Sequence, residues 1–367
     1  LQYDVLRQRL REELGVNPSL ASQTLHLEIL RADEVVSPTP TAIQARQQKF
    51  IGRHHELALL RQLYRNILPG GPPHLVMLEG EAGIGKTRLA HEWLATLSQS
   101  RVLFARCYET EQGIPFQPWI DLMQTTLEQT GLESLELAEV WLAELAHLVP
   151  DIRQQRPNLV PSPVTDPELT RGRIVQAIFH WVAQLARQKP VCLFIDDWQW
   201  LDQASLTVLR FILLSPASRR LPLLVLGTRR VAETPSGWPR LTSLLEREGR
   251  LDQIPLQRFS PSEAAALART VSLPHQFRTA AFYQRLFAET EGNPLCIVEL
   301  LRVLSSETLP VEADWPIPAT IQSVIQNRLA ALSGDTTRVL RVAAILGRVF
   351  SETELQQMAA LSGSEVL

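Results

Sequence analysis

Residues 80–87 read Gly80-Glu81-Ala82-Gly83-Ile84-Gly85-Lys86-Thr87, the spacing G-x-x-x-x-G-K-[ST]. Each residue type in that pattern has a task around a polyphosphate. The glycines let consecutive backbone N–H groups turn inward on a β-phosphate, Lys86 reaches the β and γ oxygens, and the Thr87 hydroxyl ligates Mg2+. An apolar run, His74 to Leu78, precedes the motif and a helix-forming run, Arg88 to Leu97, follows it. The motif therefore stands in the strand, loop, helix context of a P-loop. Of the 36 basic residues only Lys49, Lys86 and Lys189 are lysines. Against that arginine bias, a lysine at 86 stands where a compact, flexible ammonium is needed and a planar guanidinium does not fit.

A P-loop needs an acid at the end of a neighbouring strand to hold the metal, and Val191-Cys192-Leu193-Phe194-Ile195-Asp196-Asp197 supplies one. Asp196 is the expected metal carboxylate, and Asp197 is placed to orient or deprotonate an attacking water. Asp202 directly precedes the helical run from Gln203, so it reads as an N-cap rather than a ligand. The fourth apolar run ends in Gly227-Thr228-Arg229-Arg230. If that strand neighbours the P-loop strand, a guanidinium there lies beside a γ-phosphate; otherwise it is an ordinary solvated strand end. None of the three lysines stands in an Asn/Thr-Lys-x-Asp context, so guanine reading is excluded and adenine is the expected base.

These residues need a scaffold. Short apolar runs at His74 to Leu78, Val102 to Ala105, Val191 to Asp196, Leu221 to Gly227 and Gln253 to Leu256 alternate with helical segments, which predicts a five-stranded parallel α/β sheet with crossover helices. Residues 117–188 read as mainly helical, interrupted by the proline-bearing stretch from Pro150 to Pro167. Beyond Ser260 strands cease, and helices are expected over Pro261–Val271, Thr279–Glu289, Pro294–Ser305, Ile321–Leu332 and Thr336–Leu346. Upstream, residues 3–14 and about 20–31 read as two amphipathic helices, followed by a Pro-rich linker at Ser37-Pro38-Thr39-Pro40-Thr41. The chain opens without Met inside a helical pattern and stops where another helix is starting, which leads us to expect a piece of a longer protein.

Composition narrows the classes. A net charge of −3 with 45% hydrophobic and 20% charged residues excludes a disordered or nucleic-acid-coating chain. Three separated cysteines, Cys107, Cys192 and Cys296, offer neither a disulfide framework nor a paired-thiol zinc site, and a reducing cytoplasm is expected. The apolar runs are strand-sized, far below the roughly 18 residues of a membrane span.

Taken together, Phe50-Ile51-Gly52-Arg53-His54-His55-Glu56, the P-loop, Asp196-Asp197-Trp198-Gln199-Trp200-Leu201-Asp202, the Thr228-Arg229-Arg230 strand end and Glu291-Gly292-Asn293-Pro294 resemble the STAND branch of the AAA+ ATPases, found in large bacterial transcription regulators. The resemblance covers residues 48–367. It implies that Ile51, Gly52 and Arg53 help hold adenine, although His54 departs from the commoner acid. Along the P-loop it adds Glu81, Ala82, Gly83, Ile84, Gly85, Lys86, Thr87 and Arg88 to the nucleotide contacts. It assigns the strand-four arginine to Arg230, since Arg229 stands where Tyr is usual, and it sets Pro294 against the base from a helical lid. The implied organisation is a P-loop domain over 49–259, a lid over 260–313 and a truncated winged-helix module over 314–367. Residues 1–34 resemble the last helices of a bacterial transcriptional activator domain, with 35–48 as linker. The parent chain then carries a DNA-binding head upstream and a sensor downstream, while this segment itself contacts neither nucleic acid nor membrane.

The expected activity is an ATP/ADP-dependent switch with slow hydrolysis that controls self-association. Two alternatives stay open: a small-molecule phosphotransferase using the Arg106 to Trp119 segment as acceptor pocket, and a scaffold whose nucleotide is never turned over.

Overall fold

The computed structural model describes residues 49–306, apart from 68–69, 134–135, 161–165 and 232–236, and parts of 315–359. The expected N-terminal helices and linker over 1–48 lie outside the described residues. The chain divides into two compact units, Leu1–Arg258 and Phe259–Leu367.

In the first unit, β1 (His74–Glu79), β2 (Arg101–Arg106), β3 (Val191–Asp196), β4 (Leu223–Arg229) and β5 (Leu251–Pro255) form one sheet of order β2-β3-β4-β1-β5. Every pairing is parallel. Parallel neighbours need crossovers. These are α2 (Lys86–Leu94) after β1, α3 (Gln117–Thr130), α4 (Glu139–Leu145), α5 (Asp151–Gln155) and α6 (Pro167–Gln188) after β2, α7 (Gln203–Leu214) after β3, and α8 (Trp238–Arg247) after β4; α1 (His54–Ile67) precedes the sheet.

The order corrects one expectation. The strand carrying the acids does not neighbour the P-loop strand, because β4 lies between β3 and β1. The acid reaches the P-loop by way of α2 instead, as described below. Strand β4 also runs two residues later than expected, from Leu223. Pro222 has no N–H for the ladder, and its carbonyl instead accepts the first bond, from the Val191 N–H at 2.9 Å.

Alternate strand residues face opposite sides, and both sides are covered. Val76, Leu78, Cys192, Phe194, Leu224 and Leu226 pack with Leu60, Leu89 and Trp93 of α1 and α2. Leu75, Met77, Leu193, Ile195, Leu223 and Val225 pack with the helices between β2 and β5. Double-sided cover explains why these strands read as continuous apolar runs rather than alternating ones.

The described part of the second unit holds α9 (Pro261–Ala268), α10 (Ala280–Thr290), α11 (Pro294–Ser306), α12 (Gly334–Leu346) and α13 (Glu352–Ala359), and no strand among its described residues. Helix α9 opens on a capping box between Ser260 and Glu263. It ends at Ala268, three residues short of the expected Val271, where Thr270 turns its hydroxyl back to the Leu267 carbonyl at 2.7 Å. Of the helix expected over 321–332, the described residues Ile321, Gln322, Ile325, Gln326 and Leu329 are helical. Among the described residues no helix is long and apolar enough to cross a membrane.

Candidate functional site

The P-loop turns from β1 into α2 through Gly80, Gly83 and Gly85, all at positive φ. Gly85 stands at φ 97°, ψ 22° directly before the first helical residue, a conformation costly for any residue with a Cβ. Lys86 is buried, and its Nζ donates to the Gly80 carbonyl at 3.0 Å and the Glu81 carbonyl at 2.9 Å. Burial lowers its pKa and Arg230 adds to the lowering, against the opposing pull of Asp197, Asp196 and Glu81. The ammonium thus sits among acids and backbone oxygens in a partly desolvated hollow, poised for an anionic partner.

Strand parity places the acids. In β3, Cys192 and Phe194 face α1 and α2, so Asp196 does too. The Thr87 hydroxyl on α2 meets its two carboxylate oxygens at 2.9 and 3.0 Å. From β4, Thr228 donates to Asp196 Oδ1 at 2.6 Å while its Oγ1 accepts the Asp197 N–H at 2.9 Å. Asp196 is 1% exposed. Burial raises its pKa and Asp197 raises it further, opposed by the bonds from Thr228 and Thr87 and by the Arg106 charge.

Asp197 adopts the left-handed conformation, φ 57°, ψ 52°, which turns its side chain out of the strand parity. Arg106 at the end of β2 donates to its Oδ2 from Nε at 3.3 Å and Nη2 at 3.2 Å, and Gln199 Nε2 donates to Oδ1 at 2.9 Å. Burial opposes the charge on Arg106, but Asp197 and Asp196 outweigh it and hold the guanidinium above its ordinary value. Asp202 caps α7, accepting from Ser205 N–H at 2.9 Å, and also accepts the Phe116 N–H at 3.2 Å.

A hydroxyl facing a carboxylate is a hard oxygen pair that suits Mg2+, which keeps water and phosphate oxygens for its remaining positions. Thr87 and Asp196, in contact at 2.9 Å, fit that ion.

The two arginines ending β4 diverge. Arg229 pairs with Glu79, Nε donating to Oε1 at 2.7 Å. The next residue, Arg230, donates its backbone N–H to Gln199 Oε1 at 3.3 Å, and its charge acts on Lys86. Because β4 does neighbour β1, the condition set by the sequence for a guanidinium beside the phosphate hollow is met, and Arg230 is the one on that side.

Of the residues expected around the base, Ile51 and Gly52 lie in the segment before α1, which bends at Gly52 (φ 71°), with Ile51 half-buried. Arg53 is buried at φ 60°. Its Nη2 donates to the Ile84 carbonyl at 3.1 Å and the Gln257 carbonyl at 2.6 Å, and Nη1 pairs with Glu56 at 3.2 Å. It ties the segment before α1 to the P-loop and to the exit of β5. Glu81 is held by Arg258 in a two-bond pair at 2.7 and 2.8 Å. Together Glu81, Ile84, Leu256, Gln257 and Arg258 line an open cleft of about 440 Å³ beside the P-loop. Ala82 and Gly83 form the tip of the loop, and Arg88 on the first turn of α2 pairs with Glu92 at 3.4 Å. Pro294 is the first residue of α11 in the second unit, after Asn293, whose Oδ1 accepts from Leu295 N–H at 3.0 Å. That is an ordinary capped helix start.

Thr228, Arg106, Gln199 and Arg258 join the site without having been assigned to it from the sequence. Strand parity could have found Thr228, two residues before Arg230. Arg106 and Arg258 meet their partners through tertiary pairings, such as the Arg106–Asp196 register of β2 and β3, which local sequence does not encode; Gln199 reaches Asp197 from two residues away and Arg230 from 31.

With the P-loop, the buried acid and the strand order in view, the comparison with known families bears on the first unit. Residues 49–226 match the AAA ATPase domain. The match runs from the segment before α1 to the middle of β4, and with the site's geometry it supports an AAA+ ATPase region. Over 330 residues the chain is 24% identical to an uncharacterized protein, R02095, of Rhizobium meliloti strain 1021; the match takes in 81% of this chain and 29% of that protein, so the chain spans less than a third of this relative's length. Among solved structures it is similar to the Walker-type ATPase PABY2304 of Pyrococcus abyssi, with a TM-score of 0.48 and 16% identity over 85% of this chain and 88% of that one. It is also similar to the ORC2 protein of Aeropyrum pernix, with a TM-score of 0.49 and 15% identity over 85% and 80%.

Proposed function

We propose that the AAA ATPase region binds ATP with Mg2+ and hydrolyses it slowly, as the switch element of a bacterial transcription regulator of the STAND type. The observation that carries this reading is the contact of Thr87 with Asp196 at 2.9 Å under a lysine-bearing loop, beside a second acid held outward at Asp197.

Lys86, freed from the two loop carbonyls, takes the β and γ oxygens, and the backbone N–H groups of residues 81–88 surround the β-phosphate. Ile51, Gly52 and Arg53 with the adjoining cleft receive adenine. Thr87 and Asp196 would hold Mg2+, which would supply charge neutralisation to the bound triphosphate. Asp197 orients a water toward the γ-phosphorus and accepts its proton. The new P–O bond forms as the bond to the β–γ bridging oxygen breaks, giving ADP and phosphate. Arg230 meets the γ-phosphate. A switch requires contacts that differ between ATP and ADP states, and Lys86, Arg230 and Asp197 are the groups that would make them. Self-association in the ATP state, an upstream DNA-binding domain, a downstream sensor and a cytoplasmic setting complete the reading, all by resemblance.

Single-turnover release of phosphate from γ-labelled ATP tests it. Release within hours, without any added acceptor alcohol, supports a hydrolase. ATP that stays bound and intact overturns hydrolysis and leaves a nucleotide-bound scaffold.

A further inference from the structure

On the side of the sheet away from α2, three neighbours of the phosphate site are joined by one chain of contacts. Glu79 immediately precedes the P-loop glycine Gly80, and in the parallel register it stands opposite Arg229. The two form an ion pair at 2.7 Å, each side chain only 11% exposed. The Arg229 guanidinium lies over the Trp238 ring, 5.3 Å from its centroid. Trp238, the first residue of α8, meets Trp198 edge to face at 5.3 Å and 80°. Trp198 is fully buried and is the residue after Asp197. The chain thus ends one residue from the P-loop, one residue from Arg230 and one residue from Asp197.

We infer that Arg229 and Trp238 are positioning residues that hold the P-loop, the Arg230 strand end and the Asp197 turn in one register, so that ATP is distinguished from ADP. This rests on the reading of Arg230 and Asp197 given above. A buried ion pair is a poor way to gain stability, since desolvation offsets most of the attraction and an apolar pair would hold the strand ends as well. What it adds is direction: a guanidinium and a carboxylate meet in one geometry, and a planar guanidinium also stacks on a ring.

The test compares MgATP and MgADP affinity with single-turnover hydrolysis in the 367-residue chain. The double variant Glu79→Gln/Arg229→Met removes both charges and leaves neither buried alone. It is expected to keep ADP affinity within about twofold while losing about fivefold or more of the preference for ATP over ADP. Trp238→Leu is expected to show the same selective loss, and Trp238→Phe, which keeps a ring under the guanidinium, to restore most of it. Arg230→Ala serves as the control for the underlying reading. If Arg230→Ala keeps the wild-type preference, the assignment of Arg230 fails and the inference with it. If Arg230→Ala loses the preference while the double variant and Trp238→Leu keep it, the inference alone is overturned. Loss of ATP and ADP affinity in equal proportion, tracking the unfolding midpoint, also overturns it, because that is the signature of a merely structural brace.

Discussion

The two sides of the sheet's C-terminal edge are built from the same strands, one residue out of phase, and they hold their charges differently. Toward α2 stand Lys86, Thr87, Asp196 and Thr228, whose partners are backbone carbonyls, hydroxyls and each other. Such bonds can be exchanged for a ligand's at little net cost. On the opposite side Glu79 and Arg229 are locked in an ion pair under Trp238. The difference teaches that exchangeable and paired charges are separated by strand parity, with Arg229 in the ion pair and the adjacent Arg230 proposed for the phosphate side.

Breaking the α2 side should change chemistry rather than folding. Asp197→Asn keeps MgATP affinity and the unfolding midpoint, while single-turnover hydrolysis falls about 10²–10⁴-fold, the span usual for loss of a general base. Rapid-quench phosphate release measures the rate, and calorimetric titration measures the affinity.

Overfilling the core beneath the other side, away from the ion pair itself, should change folding first. A Cβ on Gly227 would stand 2.6 Å from Met77 Cε and 2.6 Å from Trp198 Nε1. The methionine end can move, but the indole is fixed among the core of that side. Gly227→Ala is therefore expected to cost about 1–3 kcal/mol through overpacking, read from the urea midpoint. A smaller effect sharpens the comparison at the turn that joins the two sides. Asp202→Ala loses the cap on α7 and the bond from the Phe116 N–H. It should lower stability by about 1–2 kcal/mol while leaving MgATP affinity unchanged.

Much of this edge was legible in the sequence because its signals are local. The Gly80 to Thr87 spacing specifies the loop, and the run ending at Asp196 specifies a buried strand with an acid at its tip. Asp202 before Gln203 specifies a cap, and the structure shows one. What was not legible is tertiary. Nothing near Val191 reveals that β4 intervenes between its strand and the P-loop strand, nor that the acid meets the loop through Thr87 instead. The pairs Arg106 with Asp197, Arg258 with Glu81 and Arg229 with Glu79 span 91, 177 and 150 residues. In a chain with so many arginines, composition gives no reason to prefer these three.

The central claim is that the loop around Lys86 is a working ATP site. Calorimetric titration of MgATP into the wild-type chain and into Lys86→Ala tests it most directly. A charge-assisted bond to phosphate contributes about 1.5–3 kcal/mol, so the variant should bind at least about tenfold more weakly while unfolding at a similar midpoint. Equal affinity in the two proteins would contradict the account.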